Sequence, residues 1–197
     1  VFYYVTIMNE SYAQPGMPEG AREGILRGMY KARQARREGP RVRLLGAGTI
    51  LQEALAAAEV LESEFGIGAD VFSVTSFTEL RRDGMEVSRA RRHSREGGNP
   101  ICWIESQLPA TGAPVIAASD YVSSVADLIR PWIADAYVAL GTDGFGRSDT
   151  RASLRRFFEV DRHSIVVAAL SALGDARAAE TAKRFDAGHS RAAPWTR

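Results

Sequence analysis

The sequence predicts an α/β fold, a three-layer α/β/α sandwich on a mostly parallel sheet, and three observations carry that prediction. Short apolar runs alternate with longer segments of helical period. The runs Val42–Leu45, Val71–Val74, Val115–Ala118 and Tyr137–Leu140 have no polar face, as strands covered on both sides require. Right-handed crossovers between such strands then place helices on both faces of one sheet.

The elements follow in order. Val1–Met8 is β-branched and aromatic with no polar stripe, and reads as a buried strand or a connector between domains. It has neither an initiator Met nor a basic leader, so it reads as the interior of a longer protein. The stretch 9–20 carries two prolines and two glycines and reads as a loop of restricted φ. A short helical turn is expected over Glu19–Leu26, a strand over Gly28–Ala32 and a turn at Gly39-Pro40. Gly46-Ala47-Gly48 breaks the strand Val42–Leu45. Thr49 and Gln52 have capping-box spacing, and Leu51, Ala54, Leu55, Ala58 and Leu61 form one helical face that Gly66 and Gly68 end. After Val71–Val74, Ser76 and Glu79 repeat that spacing and open a helix near Thr78.

Ser88–Pro114 shows no clear period and contains Gly97-Gly98-Asn99-Pro100. It reads as a functional loop or a tolerated surface insertion, and deletion of about Ser88–Ile104 is expected to leave the fold intact. Beyond it come the strand Val115–Ala118, a helix Tyr121–Arg130 stopped by Pro131, and the strand Tyr137–Leu140. Ser148 or Asp149 is the expected cap of a helix carrying Leu154, Phe157 and Phe158. Asp161 is that of a helix carrying Ile165, Val166, Ala169 and Leu170. The tail from Gly174 is rich in Ala and Arg, and its last ten residues read as unanchored.

Composition narrows the function. Of 197 residues, 45% are hydrophobic and 25% charged, ordinary for a globular chain. A formal charge of +1 gives no global field toward nucleic acid or membrane, and neither is expected as a partner. The single cysteine, Cys102, excludes an intrachain disulfide and a cysteine-based zinc site, and makes a reducing compartment plausible. No apolar run reaches the roughly 18–20 residues of a membrane span.

Candidate chemistry is sparse. Gly46-Ala47-Gly48 lies where a dinucleotide fingerprint would, but the third glycine position is Leu51. A tight α/β turn is the plainer reading, and a stand-alone nucleotide-binding module using Gly46–Gly48 is the alternative. His93, His163 and His189 form no i, i+3 or i, i+4 pair that could hold a metal. Arginine clusters at Arg22–Arg43 and Arg81–Arg95 lack interleaved aromatics for stacking bases, and read as solvated. The most unusual stretch is Gly141–Asp149, GTDGFGRSD. It follows a buried strand, where ligands and partners dock in open α/β sheets, and Phe145 between two glycines is a candidate aromatic anchor.

GTDGFGRSDTRASLRRFFEVD (Gly141–Asp161) closely resembles the C-terminal domain of the homodimeric bacterial pyruvate dehydrogenase decarboxylating component. YYVTIMNESYAQPGMPEGAREGILRGMYK, LLGAGTILQEALAAAEVL, ADVFSVTSFTELRRDG, PVIAASDY and IVVAALSAL resemble the same family in order, over about Val1 to Leu173. The chain departs from that pattern between Val87 and Ala113 and after Gly174.

The resemblance implies a transketolase-type C-terminal domain with a five-stranded mixed sheet. It divides the chain into a connector (1–18), the domain proper (19–173) with a divergent insertion (88–113), and a divergent tail (174–197). It implies thiamine diphosphate and Mg²⁺ in the full-length enzyme, held by preceding domains. The metal-binding GDG followed by an Asn pair is absent here, because no such pair follows the DGFG at 143–146. The chain is therefore expected to hold no cofactor, to contribute no catalytic residue and to be inactive alone. The family decarboxylates pyruvate and reductively acetylates lipoyl groups in the cytoplasm. Its implied partners are the enzyme's own N-terminal and middle domains, a homodimer mate and the dihydrolipoyl acetyltransferase component. The expected contact residues are Asn9, Glu10, Tyr12, Pro15, Pro18, Asp143, Phe145 and Arg147.

Overall fold

Alternation within the apolar runs builds two cores from one sheet. In β2 (Arg41–Ala47), Val42 and Leu44 face one side and Leu45 and Ala47 the other, all 5% exposed or less. A computed structural model describes residues 2, 11–93, 99–186 and 192–196. Its sheet also contains β1 (Met29–Arg33), β3 (Gly68–Val74), β4 (Val115–Ala118) and β5 (Tyr137–Leu140), in the order β1-β3-β2-β4-β5. Only β1 is antiparallel, pairing Met29 with Val74 and bulging between Lys31 and Arg33. Leu44 stands between Val71 and Ile116, so one layer of branched side chains crosses the three central strands.

On the first face lie α2 (Ile50–Val60), α6 (Arg151–Phe157), α7 (Arg162–Ala172) and α8 (Ala178–Arg184), over Ala54, Ala58, Val166 and Leu170. The small side chains of α2 let α7 approach. On the second face lie α3 (Phe77–His93), α4 (Trp103–Gln107) and α5 (Ser123–Asp127), over Phe72, Leu80, Ile104 and Ile129. A short α1 (Ala21–Arg27) leads into β1. The architecture is the expected one, with a five-stranded mixed sheet between two helical layers.

Buried ion pairs pin the layers. Glu53 on α2, 6% exposed, accepts the Arg162 N–H and Nε at 3.0 Å each, which fixes the start of α7. Burial raises its pKa, but the bonds from Arg162 and the nearby Arg155 charge outweigh that and leave the carboxyl below its usual range. Arg33 of β1 reaches Glu62 at 2.5 Å, beyond the end of α2. Arg43 pairs with Asp135, which also accepts the Thr111 and Gly112 N–H groups at 3.0 and 2.9 Å. These bonds overcome the burial of Asp135 and hold its pKa down.

Several local expectations change. The segment read as aperiodic is structured: α3 runs through His93, and Cys102, Ile104 and Leu108 are all at most 2% exposed in the second core. Arg91 ties the two helices by bonding both oxygens of Glu105, at 3.0 and 2.7 Å. Its periodicity is hidden because α4 is barely one turn long and is positioned by tertiary bonds. One of these runs from the Trp103 indole to the Met29 carbonyl at 2.9 Å. The helix expected over Tyr121–Arg130 is only Ser123–Asp127, and Pro131 sits inside a following 3₁₀ turn. Thr150, not Ser148 or Asp149, caps α6, accepting the Ser153 N–H; Asp149 accepts the Thr150 N–H instead. Thr49 makes no capping bond, whereas Ser76 and Asp161 accept the Glu79 and Ser164 N–H groups at 3.1 and 2.8 Å. In the tail, Pro194–Thr196 forms a turn against Gly144. Val1–Met8 lies outside the described residues apart from Phe2, which is exposed.

Candidate functional site

The chain leaves β2 for β3 on one side, then crosses back to β4 on the other. The helices after β2 and β4 therefore cover opposite faces, and the carboxyl ends of these neighbouring strands part. A crevice of about 1010 Å³ opens there, with Tyr12, Gly48, Thr49, Ser76, Asp120 and Tyr121 in its lining. The turn after β2 is shaped by two glycines. A Cβ on Gly46 would lie 2.6 Å from the Leu51 Cα, and Gly48 has φ +56°. Among the described residues the crevice lining contains no lysine or arginine to match a nucleotide's diphosphate by charge.

The loops after β4 and β5 interlock beside the crevice. Thr142 donates its N–H to the Tyr121 carbonyl and its hydroxyl to the Asp120 carbonyl, both at 2.8 Å. The Ser123 N–H donates to Asp143 Oδ1 at 3.0 Å. Gly141 permits this contact, because a Cβ there would sit 2.3 Å from the Ser123 nitrogen. Gly144, at φ +108°, brings the loop against the tail, where a Cβ would lie 2.6 Å from the Pro194 oxygen.

This clamp holds apolar side chains in water. Phe145 is 79% exposed, Trp195 64% and Tyr121 61%, with Val122 beside them at 44%. Beneath the loop, the Arg147 guanidinium stacks 4.3 Å from the centre of the Phe157 ring. Exposed aromatic groups on a fixed frame need little ordering when a partner covers them.

The residues singled out from sequence fall into distinct roles. Phe145 is exposed, Arg147 lies over the Phe157 ring, and Asp143 accepts the Ser123 N–H inside the clamp. Tyr12 accepts the Gln14 amide at 3.3 Å and lines the crevice. The Gln52 amide holds the Ala13 carbonyl at 3.2 Å. Pro15 is exposed and Pro18 half-buried at the entry to α1, away from the interlocked loops. Asn9 and Glu10 lie outside the described residues. Sequence reasoning missed Tyr121, Val122 and Trp195. An apolar pair directly after a strand-ending Ser-Asp was the available signal for the first two; Trp195 had none.

The donor set does not fit a diphosphate-bound divalent ion. Among the described residues no three His, Cys, Asp or Glu groups converge, and Asp120 stands alone at the crevice. Cys102 is fully buried, and burial pushes its thiol up to about 11, well above the ordinary 9.0.

Comparisons with known proteins point to one family. A transketolase-like C-terminal domain model matches residues 28–161. The chain is 52% identical over 177 residues to a pyruvate dehydrogenase E1 component of Pseudomonas aeruginosa, covering 89% of the chain and 20% of that protein. It is 46% identical over 174 residues to the E1 component of Escherichia coli K12, covering 88% and 19%. It thus spans about a fifth of the length of these relatives. The transketolase of Campylobacter jejuni superposes with a TM-score of 0.51 at 17% identity, over 81% of this chain and 20% of that one, a likeness of fold.

Proposed function

The chain belongs to the transketolase-like C-terminal domain family and is homologous to the C-terminal domain of pyruvate dehydrogenase E1 components, and from that premise we propose that it is a non-catalytic docking domain of such an enzyme. The whole enzyme would decarboxylate pyruvate and pass the acetyl group to a lipoyl arm, with thiamine diphosphate and Mg²⁺ held by its other domains. This domain's part is architectural. The observation that carries the reading is the aromatic rim at the carboxyl ends of β4 and β5. Phe145 stands in water on a loop braced by hydrogen bonds to the β4 loop, beside a crevice without a metal-binding donor set among the described residues.

The partner of that rim is the rest of the same enzyme, either its preceding domains or a second subunit. The dihydrolipoyl acetyltransferase component would engage the assembled enzyme. No helix among the described residues is long and apolar enough to cross a membrane.

The test is a chimera in which this chain replaces the matching fifth of the Pseudomonas aeruginosa E1 component. The chimera is expected to assemble and turn over pyruvate, and Phe145→Asp to weaken assembly at least about tenfold while leaving the thermal unfolding of the isolated chain unchanged. An assembled, active chimera indifferent to Phe145→Asp would refute the role given to the rim.

A further inference from the structure

A second surface lies on the outer face of α3. Helical spacing puts Arg81, Met85, Arg89 and Arg92 within one sector of about 80° along a helix about 25 Å long. Met85 is half exposed and the three arginines are exposed. Arg82 is paired with Glu79 at 2.5 Å, and Arg91 with Glu105. Arg81, Arg89 and Arg92 have no ion pair among the described residues, and Glu86 is the one further carboxylate in the groove lining.

Beside this stripe runs a groove of about 700 Å³ floored by Trp132, Leu128 and Met85. Its shape is built in. Trp132 lies flat on Gly84, where a Cβ would meet the ring at 2.5 Å, and its indole N–H donates to Ser88 Oγ at 2.8 Å. The ring is thus fixed with its polar atom satisfied, leaving an apolar floor between cations that have no ion pair among the described residues. Trp, Met and Arg on a rigid frame are the composition enriched in protein interfaces.

We propose that this groove docks a partner protein through an acidic segment carrying one large apolar side chain. The apolar residue covers Trp132 and Met85, and flanking carboxylates reach Arg81 on one side and Arg89 and Arg92 on the other. Spaced carboxylates can avoid Glu79 and Glu86, whereas a continuous phosphate backbone would run past both. That favours a peptide over a nucleic acid, as does the near-neutral whole chain.

The experiment is calorimetric titration of the full chain with the acetylated, amidated peptide Glu-Glu-Leu-Phe-Glu-Glu. Parallel titrations use the same peptide with Gly-Gly at its centre and a ten-nucleotide oligouridylate. The proposal expects saturable one-to-one binding that weakens as salt rises. It expects at least about tenfold weaker binding for Gly-Gly, and for the combined Arg81→Ala, Arg89→Ala, Arg92→Ala variant with unchanged circular dichroism. No saturation up to about 1 mM, equal affinity for the Gly-Gly peptide, indifference to the three substitutions, or tighter binding of oligouridylate would each overturn it.

Discussion

Phe145, Gly141 and Cys102 show how single residues divide between scaffold and surface. Gly141 is fixed by contact, since any side chain would collide with the Ser123 backbone. Gly141→Ala should therefore separate the two rim loops and lower stability by about 1–3 kcal/mol, read by urea unfolding. An unchanged midpoint would mean that the loops do not need their close approach. Cys102 has no accessible surface and a thiol raised to about 11, against an ordinary 9.0. At pH 8 its alkylation by iodoacetamide should be at least about a hundredfold slower in the folded chain than in urea, and equal rates would contradict its burial. Residue types in GTDGFGRSD announced a special loop, and Phe145 was legible as its exposed tip. The role of Asp143 was not, because it depends on Ser123, twenty positions away at the start of α5.

Elements were legible where local pattern and burial coincide. The four apolar runs became β2 to β5, and the Ala-rich period became α2, because their side chains meet the core directly. The stretch 88–113 was not, because α4 is set by contacts distant in sequence, such as Arg91 to Glu105 and Trp103 to Met29. The burial of Cys102 and Ile104 argues against the expectation that about Ser88–Ile104 can be removed without loss of the fold. Ile104 is fully buried, so Ile104→Ala should cost about 2–4 kcal/mol, and deletion of 99–108 should abolish cooperative unfolding by uncovering the second core. A deletion variant that still unfolds in one sharp transition would contradict this. Caps were only half legible. The spacing at Thr49 and Gln52 matched a capping box, yet the Gln52 side chain is drawn to Ala13 instead.

At the scale of the whole molecule, the layers are joined by carboxylates that are stronger acids folded than unfolded. Glu53, Glu62, Glu105 and Asp135 all lie below their ordinary values of 4.5 or 3.8. For each, the stabilisation is present above the unfolded pKa and is lost as pH falls through the folded one. The urea midpoint should hold steady from pH 7 to about 5 and fall below about 4.5. Glu53→Gln should lower it at pH 7 by an amount equivalent to about 1–3 kcal/mol and flatten the acid limb. A midpoint that rises on acidification would refute the assignment. On the proposed reading, the sheet order, the separated strand ends and the aromatic rim belong to a domain that would present a surface and leave cofactor activation to other parts of a longer enzyme. The direct trial of that account is to add thiamine diphosphate, Mg²⁺ and pyruvate to the purified 197-residue chain and follow both coenzyme binding and CO₂ release. The account predicts no saturable binding and no turnover; a coenzyme held stoichiometrically with release of CO₂ would contradict it.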